Sequence, residues 1–193
     1  MALVLASTSP IRRQMLDHSG VAFESDPATI DEAIEKASGR DPERIAEALA
    51  AHKAQSVSAR RPGDWVIGSD SVVSVDGRLF DKPSDRAQAA EHLRAFSGRE
   101  MRLTSAVALA RDGRVEWSFA DFAILKVRML SDGFIETYLS AEWPDVGYCV
   151  GVFRLEGRGV QLFDSIDGSF FTILGMPLLP LLGALRERGL APQ

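Results

Sequence analysis

The sequence holds a single cysteine, Cys149. That excludes an intramolecular disulfide, a Cys-x-x-Cys redox pair and a Cys-rich zinc cluster. The three histidines, His18, His52 and His92, lie far apart in sequence. Such usage fits a reducing compartment. Positive charge is also scarce: the net charge is −5, which excludes a nucleic-acid partner held by bulk phosphate attraction. Any site for an anion must be locally basic, against the overall field. No apolar run approaches the ~20 residues that a membrane-spanning helix needs. Residues 1–6 are apolar but give way to Ser7-Thr8-Ser9-Pro10. That run is too short for a signal peptide and lacks a basic leading segment. A cytoplasmic chain with no membrane partner is expected. Repeats, low-complexity tracts and linkers are absent, as is a Gly-x-x-x-x-Gly-Lys-Ser/Thr phosphate loop.

What remains is an ordinary globular composition, 46% apolar and 25% charged over 193 residues, large enough to bury a core without staples. One domain, 1–193, with room for two lobes, is expected. Residues 2–6 read as a short buried strand. Ser9-Pro10 then opens a helix that stops near Gly20, and residues 21–25 read as a second short strand. The stretch from Asp26 to Arg40 is polar and irregular. Asp41-Pro42 opens a helix ending near Arg60. Trp65 to Val75 is rich in β-branched residues and reads as a strand, followed by an Asp76-Gly77 turn. Ser84-Asp85 caps a helix ending near Ser97-Gly98. Residues 101–110 and 114–127 form a hairpin about Asp112-Gly113. Ser131-Asp132 caps a further helix, residues 143–171 are glycine-rich, and Gly175-Met176-Pro177 leads into a last apolar helix. Strands alternating with helices, together with a hairpin, predict an α/β fold with a mixed sheet.

Several positions carry chemistry. In Ser7-Thr8-Ser9-Pro10-Ile11-Arg12-Arg13 a strand delivers a hydroxyl-rich turn to a helix start, where free N–H groups favour anions. Arg12 and Arg13 sit in the first turn, where the helix dipole disfavours cations. A bound polyphosphate would justify them, and a plain cap with solvated arginines is the alternative. Lys53 falls on the apolar stripe of Ala46, Leu49, Ala50 and Val57, so it either snorkels or points into a site. Asp70 interrupts the apolar strand Ile67-Gly68-Ser69-Asp70-Ser71-Val72-Val73, and a buried carboxylate must be paired, hydrogen-bonded or metal-bound. Gly68 marks a bulge or a close backbone approach. Lys82-Pro83, the pair Asp31-Glu32 and the glycine-flanked Glu156 complete the set, though each also reads as a simple turn or polar loop. Basic groups for phosphates beside carboxylates for a hard cation or a water are what phosphoanhydride hydrolysis needs.

These stretches, in this order, resemble the Maf family. Leu5 to Arg12 is similar to the family's Leu-Ala-Ser-x-Ser-Pro-Arg-Arg except at Ile11. Lys53-Ala54 stands at its Lys-Ala pair and Gly68-Ser69-Asp70 at its Gly-Ala-Asp strand. Lys82-Pro83, Ser97-Gly98 with Val107-Ala108-Leu109, and Gly175-Met176-Pro177-Leu178 follow. The resemblance runs from about residue 3 to 186. It implies an ITPase-like α/β fold with an elongated mixed sheet and two lobes around a central cleft. It implies hydrolysis of a nucleoside triphosphate to the monophosphate and diphosphate with a divalent metal, Mg²⁺ or Mn²⁺. Asp70 would be the proton acceptor, and Ser7, Arg12, Arg13, Lys53 and Lys82 would hold phosphates. Glu32 and Asp70 would serve the metal, and Ile11, Ser71 and Glu156 would set substrate choice. A homodimer is implied as well. The common form has Arg, Thr and Gln at positions 11, 71 and 156, and a histidine where Met101 stands. The present residues look more like the branch that prefers 7-methyl-GTP, with a smaller side chain at Ile11 than is usual there. A carboxylate at 156 could complement the positive charge of 7-methylguanine. The alternatives are the same chemistry on dTTP or UTP, a non-catalytic nucleotide-binding regulator of cell division, and a scaffold with a decayed site.

Overall fold

A computed structural model describes residues 1–192. The elements run β1 (Leu3–Leu5), α1 (Pro10–His18), β2 (Glu24–Ser25), α2 (Ala33–Lys36), α3 (Pro42–Ser58), β3 (Trp65–Val75), β4 (Arg78–Phe80) and α4 (Arg86–Phe96). They continue as β5 (Glu100–Arg111), β6 (Arg114–Val127), α5 (Asp132–Glu142), β7 (Phe163–Asp167), α6 (Phe170–Ile173) and α7 (Leu178–Glu187). The strands form one sheet in the order β2-β1-β3-β5-β6-β7, with β4 on β3. β1 pairs parallel with β2 and β3, whereas β4 on β3 and β7 on β6 are antiparallel. The mixed α/β sheet expected from the sequence is therefore present. No helix among the described residues is long and apolar enough to cross a membrane.

Helix starts follow local chemistry. The Asp41 side chain accepts from Arg44 N–H at 3.0 Å, Asp85 from Gln88 N–H at 2.8 Å and Ser131 from Phe134 N–H at 3.2 Å, each satisfying a donor that the helix cannot. Ser9 holds the cap position of α1 but makes no side-chain cap bond. The segment read as irregular, Asp26 to Arg40, contains α2, and its start is fixed by Asp31 Oδ1, which accepts from Ala33 N–H at 2.9 Å. Short elements in the glycine-rich stretch were also not foreseen: 3-10 turns at Asp145–Tyr148 and Arg158–Leu162, then β7. Their strand and turn signals are too short to rise above the glycines around them.

The chain clusters into two compact units. The first comprises Met1–Ser71, Thr104–Asp121 and the segment from Phe170 onward. One side of its sheet buries Leu5, Ile67, Val107 and Leu109 against Leu16 of α1 and Leu181 and Leu185 of α7. α3 lies on the other side and buries Ile45, Leu49, Ala50 and Ala54. The second unit comprises Val72–Leu103 and Phe122–Ser169. Its core uses edge-on aromatic pairs, Phe80–Phe96 at 4.8 Å and Phe153–Phe163 at 4.9 Å between centroids, with Leu93, Ile135 and Leu139 fully buried.

Gly68 sets the spacing between α3 and β3. A Cβ there would lie 2.2 Å from Ala50 O and 2.5 Å from Ala54 N. The sequence-level expectation of a close backbone approach is met, and the approaching backbone is that of α3. Gly68→Ala should therefore push α3 away from the sheet and cost about 2–3 kcal/mol, read as a lower urea midpoint with an unchanged slope.

Candidate functional site

Side chains alternate along β3, so Ser69 and Ser71 share one face and Asp70 takes the other. Asp70 is thereby aimed at α3, where the Gly68 contact brings the helix close. Asp70 is 6% exposed, and its Oδ1 accepts a hydrogen bond from Lys53 Nζ at 2.5 Å. Oδ2 has no protein donor among the described residues. Lys53 Nζ also lies 2.7 Å from Glu32 Oε1, and Lys36 Nζ lies 2.9 Å from Glu32 Oε2. Burial alone would raise the Glu32 pKa. Hydrogen bonds from Lys53 and Lys36, with their charges, overcome it and bring the carboxyl down to about 2. Lys53 thus does not snorkel: it joins the two carboxylates. Asp31, expected beside Glu32 as a possible cation ligand, is exposed and turned to cap α2.

The opposite face of β3 carries a hydrogen-bond network around Arg12. Its Nε donates to Gly175 O at 2.8 Å, Nη1 to Ser69 O at 3.0 Å and Nη2 to Ser71 Oγ at 2.9 Å. A guanidinium has five N–H donors, so two of Arg12's remain for a ligand. Burial lowers the Arg12 pKa, while the charges of Asp70 and Glu32 act in the opposite sense. Ser71 Oγ and Ser105 Oγ are 2.8 Å apart, and Ser105 Oγ donates to Thr172 O at 2.7 Å. A hydroxyl has one hydrogen: Ser105 gives its own to Thr172 O, while Ser71, which accepts from Arg12, has both Ser105 Oγ and Gly175 O, at 3.2 Å, within reach. Ser69 Oγ donates to Ala106 O at 2.8 Å. Gly175 belongs here because its φ of +107° suits glycine and a Cβ would meet Ser71 Oγ at 3.3 Å.

The remaining expected residues divide by unit. Ser7 is buried, and its hydroxyl accepts from Ser9 N–H at 3.1 Å, bracing the turn into α1. Ile11 is half-buried and Arg13 exposed. Lys82 and Glu156 are both exposed residues of the second unit. In that unit Arg154 donates to Asp145 Oδ2 at 2.9 Å and Glu142 Oε2 at 3.1 Å, bracketing the turn that presents Glu156. Cys149 lies in the same neighbourhood. Burial, then the charge of Glu156, pushes its thiol up to about 11.

Sequence reading missed Lys36, Ser105 and Thr172. Lys36 was legible as the fourth residue after Glu32, the spacing of a helical ion pair. Thr104-Ser105 was legible as a polar pair inside an otherwise apolar strand. Chemically, two hard carboxylates meeting at one ammonium suit a site for a divalent cation and a phosphate, since Mg²⁺ takes one or two protein carboxylates and leaves the rest to phosphate and water. Among the described residues no group of three or more His, Cys, Asp or Glu could hold a metal ion alone.

The profile of the family described as Maf-like protein matches residues 2–188. The chain belongs to that family. It is 50% identical over 192 residues to a 7-methyl-GTP pyrophosphatase of Rhizobium etli, covering 97% of this chain and 96% of the other. It is 48% identical over 190 residues to a nucleoside triphosphate pyrophosphatase of Nitrobacter hamburgensis, covering 97% and 94%. A crystal structure of a nucleoside-triphosphatase / dITP/XTP pyrophosphatase from Mycobacterium abscessus aligns with TM-score 0.41 and 20% identity over 66% of this chain and 73% of that one.

Two measurements check the geometry. Arg12→Lys keeps the charge but loses the planar fork, and should lower unfolding free energy by about 2–3 kcal/mol in urea titrations. Cys149 should react with iodoacetamide at pH 8 about 100-fold more slowly than a thiol of ordinary pKa, because the thiolate is the nucleophile. Reaction at the ordinary rate would place its pKa near the ordinary value.

Proposed function

We propose that the protein hydrolyses a nucleoside triphosphate between its α- and β-phosphates, releasing the monophosphate and diphosphate, with 7-methyl-GTP the preferred substrate. The observation that carries the reading is the Lys53 ammonium shared by Asp70 and Glu32. Lys53 fixes one oxygen of Asp70 and leaves Oδ2 to take a proton from water as the water's oxygen attacks the phosphoanhydride. The uncommitted N–H groups of Arg12, with Arg13, Lys53, Lys82 and the Ser7 hydroxyl, would hold phosphate oxygens.

Glu32 and Asp70 would hold a divalent cation, Mg²⁺ or Mn²⁺. Their oxygens are hard donors and both lie within hydrogen-bond distance of a single nitrogen, so the donor set fits. When bound, the cation neutralises charge developing on the diphosphate leaving group. Preference for 7-methyl-GTP is supported by the name of the Rhizobium etli relative and by an exposed carboxylate at Glu156, which suits a cationic base. Ser71 is read as a residue that governs substrate choice through Arg12 and Ile11 as a neighbour on the same helix. A homodimer completes the reading, and light scattering of the purified protein would read it directly.

Diphosphate release should be followed with Mg²⁺ or Mn²⁺ across standard and modified nucleoside triphosphates. Asp70→Asn should lower kcat by at least about 100-fold with KM little changed. Turnover of UTP or dTTP in place of 7-methyl-GTP would keep the chemistry and overturn the substrate. Binding without turnover would favour a nucleotide-binding regulator. Glu156→Gln should narrow the preference for 7-methyl-GTP over UTP, and an unchanged preference removes Glu156 from substrate choice.

A further inference from the structure

Both oxygens of the Glu32 carboxylate are engaged by ammonium groups, Oε1 by Lys53 at 2.7 Å and Oε2 by Lys36 at 2.9 Å. The two lysines hold it very differently. Lys53 projects from the 17-residue helix α3 and is tied onward to Asp70. Its side chain is 14% exposed. Lys36 sits on the one-turn helix α2, four residues after Glu32, and its side chain is 27% exposed. An ion pair at that spacing near the surface is weak, and holding a long lysine in one rotamer opposes it. The ammonium rides on a flexible four-carbon stem and can be re-aimed without moving backbone.

A divalent cation taking Glu32 Oε2 would compete with the Lys36 ammonium for that oxygen, because the two positive charges repel at such a distance. As the site stands, the ammonium groups of Lys53 and Lys36 face the carboxylates of Asp70 and Glu32, and the Arg12 charge acts on both carboxylates as well. A divalent cation added to that set leaves positive charge in excess, which an incoming polyphosphate would neutralise. We propose that Lys36 is an exchangeable placeholder. It neutralises Glu32 until a divalent cation takes the carboxylate, and its ammonium then turns to the phosphates of the nucleotide. Lys36 would thereby couple cation entry to substrate entry. This rests on the metal-assisted reading above, but concerns a residue that neither the sequence motifs nor the family resemblance assigns.

The test is Mn²⁺ binding without nucleotide, followed by the electron paramagnetic resonance signal of free Mn²⁺. Wild type, Lys36→Gln, Lys36→Arg and Glu32→Gln are compared. Arg40→Gln is the control for charge alone, because Arg40 pairs with Glu35 at 3.0 Å and leaves Glu32 untouched. Lys36→Gln should bind Mn²⁺ about 3–10-fold more tightly than wild type, with Lys36→Arg restoring wild-type affinity and Glu32→Gln losing it. With nucleotide and saturating Mn²⁺, Lys36→Gln should raise KM about 3–10-fold at a kcat within about twofold of wild type. Equal Mn²⁺ affinity in Lys36→Gln and wild type, no Mn²⁺ binding to either, or an equal gain in Arg40→Gln overturns the proposal. An Mn²⁺ shift in a chain that hydrolyses no nucleotide sinks the proposed function and leaves the exchange at Glu32 standing. Turnover with no Mn²⁺ shift does the reverse.

Discussion

The site depends on one ammonium group placed between two carboxylates. Lys53 can reach Asp70 at 2.5 Å because α3 lies nearly on the backbone of β3, and α3 can lie there because residue 68 has no side chain. The pair is buried enough that its partners need one another. A desolvated charge without a partner is costly, while the pair itself gains little over apolar packing. Such an arrangement is poor evidence for stability and good evidence for purpose. Asp70 and Glu32 would repel at this separation, and the Lys53 ammonium between them offsets that repulsion. Packing of a helix on a strand thus sets the electrostatics of the candidate site.

β3 uses its two faces for two tasks. The Asp70 face meets α3 and carries the charged groups. The Ser69 and Ser71 face meets Arg12, Ser105 and Gly175 and carries a relay of hydrogen bonds. Every hydroxyl in that relay is at least half-buried, so each must find a partner. The consequence is rigidity: a displacement of Arg12 would break its bonds to Gly175 O, Ser69 O and Ser71 Oγ together. Ser71, expected to set substrate choice, is therefore placed to act through the guanidinium it holds. A threonine in its place would add a methyl group to this crowded face, and Arg12 would have to accommodate it.

Much of this was legible in the sequence. Gly68 and Asp70 stood out as interruptions of an apolar strand, and Lys53 as a charge on an apolar stripe; both anomalies resolve into a single contact. Helix starts at Asp41, Asp85 and Ser131 were legible from their cap residues because capping is local chemistry. From the residues alone Asp31 and Glu32 read as an acidic pair, and only the family resemblance singled out Glu32. A one-turn helix too short to show periodicity sends one carboxylate into its cap and the other towards Lys53. Ser105 showed as a polar residue in an apolar strand, but neither its partners nor the part of Thr172 could be read. Their roles arise from contacts between segments far apart in the chain, Ser71 with Ser105 and Ser105 with Thr172, and no local pattern encodes such a meeting.

The second unit shows how an exposed carboxylate can still be held in place. Glu156 lies between two anchors. On one side Arg154 is clamped by Glu142, itself 6% exposed, and by Asp145. On the other, Gly159 packs so tightly on Arg154 that a Cβ would lie 2.5 Å from its carbonyl oxygen. The turn between them has little freedom, so the Glu156 carboxylate is presented by a frame that is fixed before any ligand arrives. Preorganisation of that kind matters most for a charged recognition group, because a mobile carboxylate in water is well solvated and discriminates weakly. The same fixed charge is felt at Cys149 and Tyr138, whose pKa values rise from burial first and from Glu156 among their acidic neighbours.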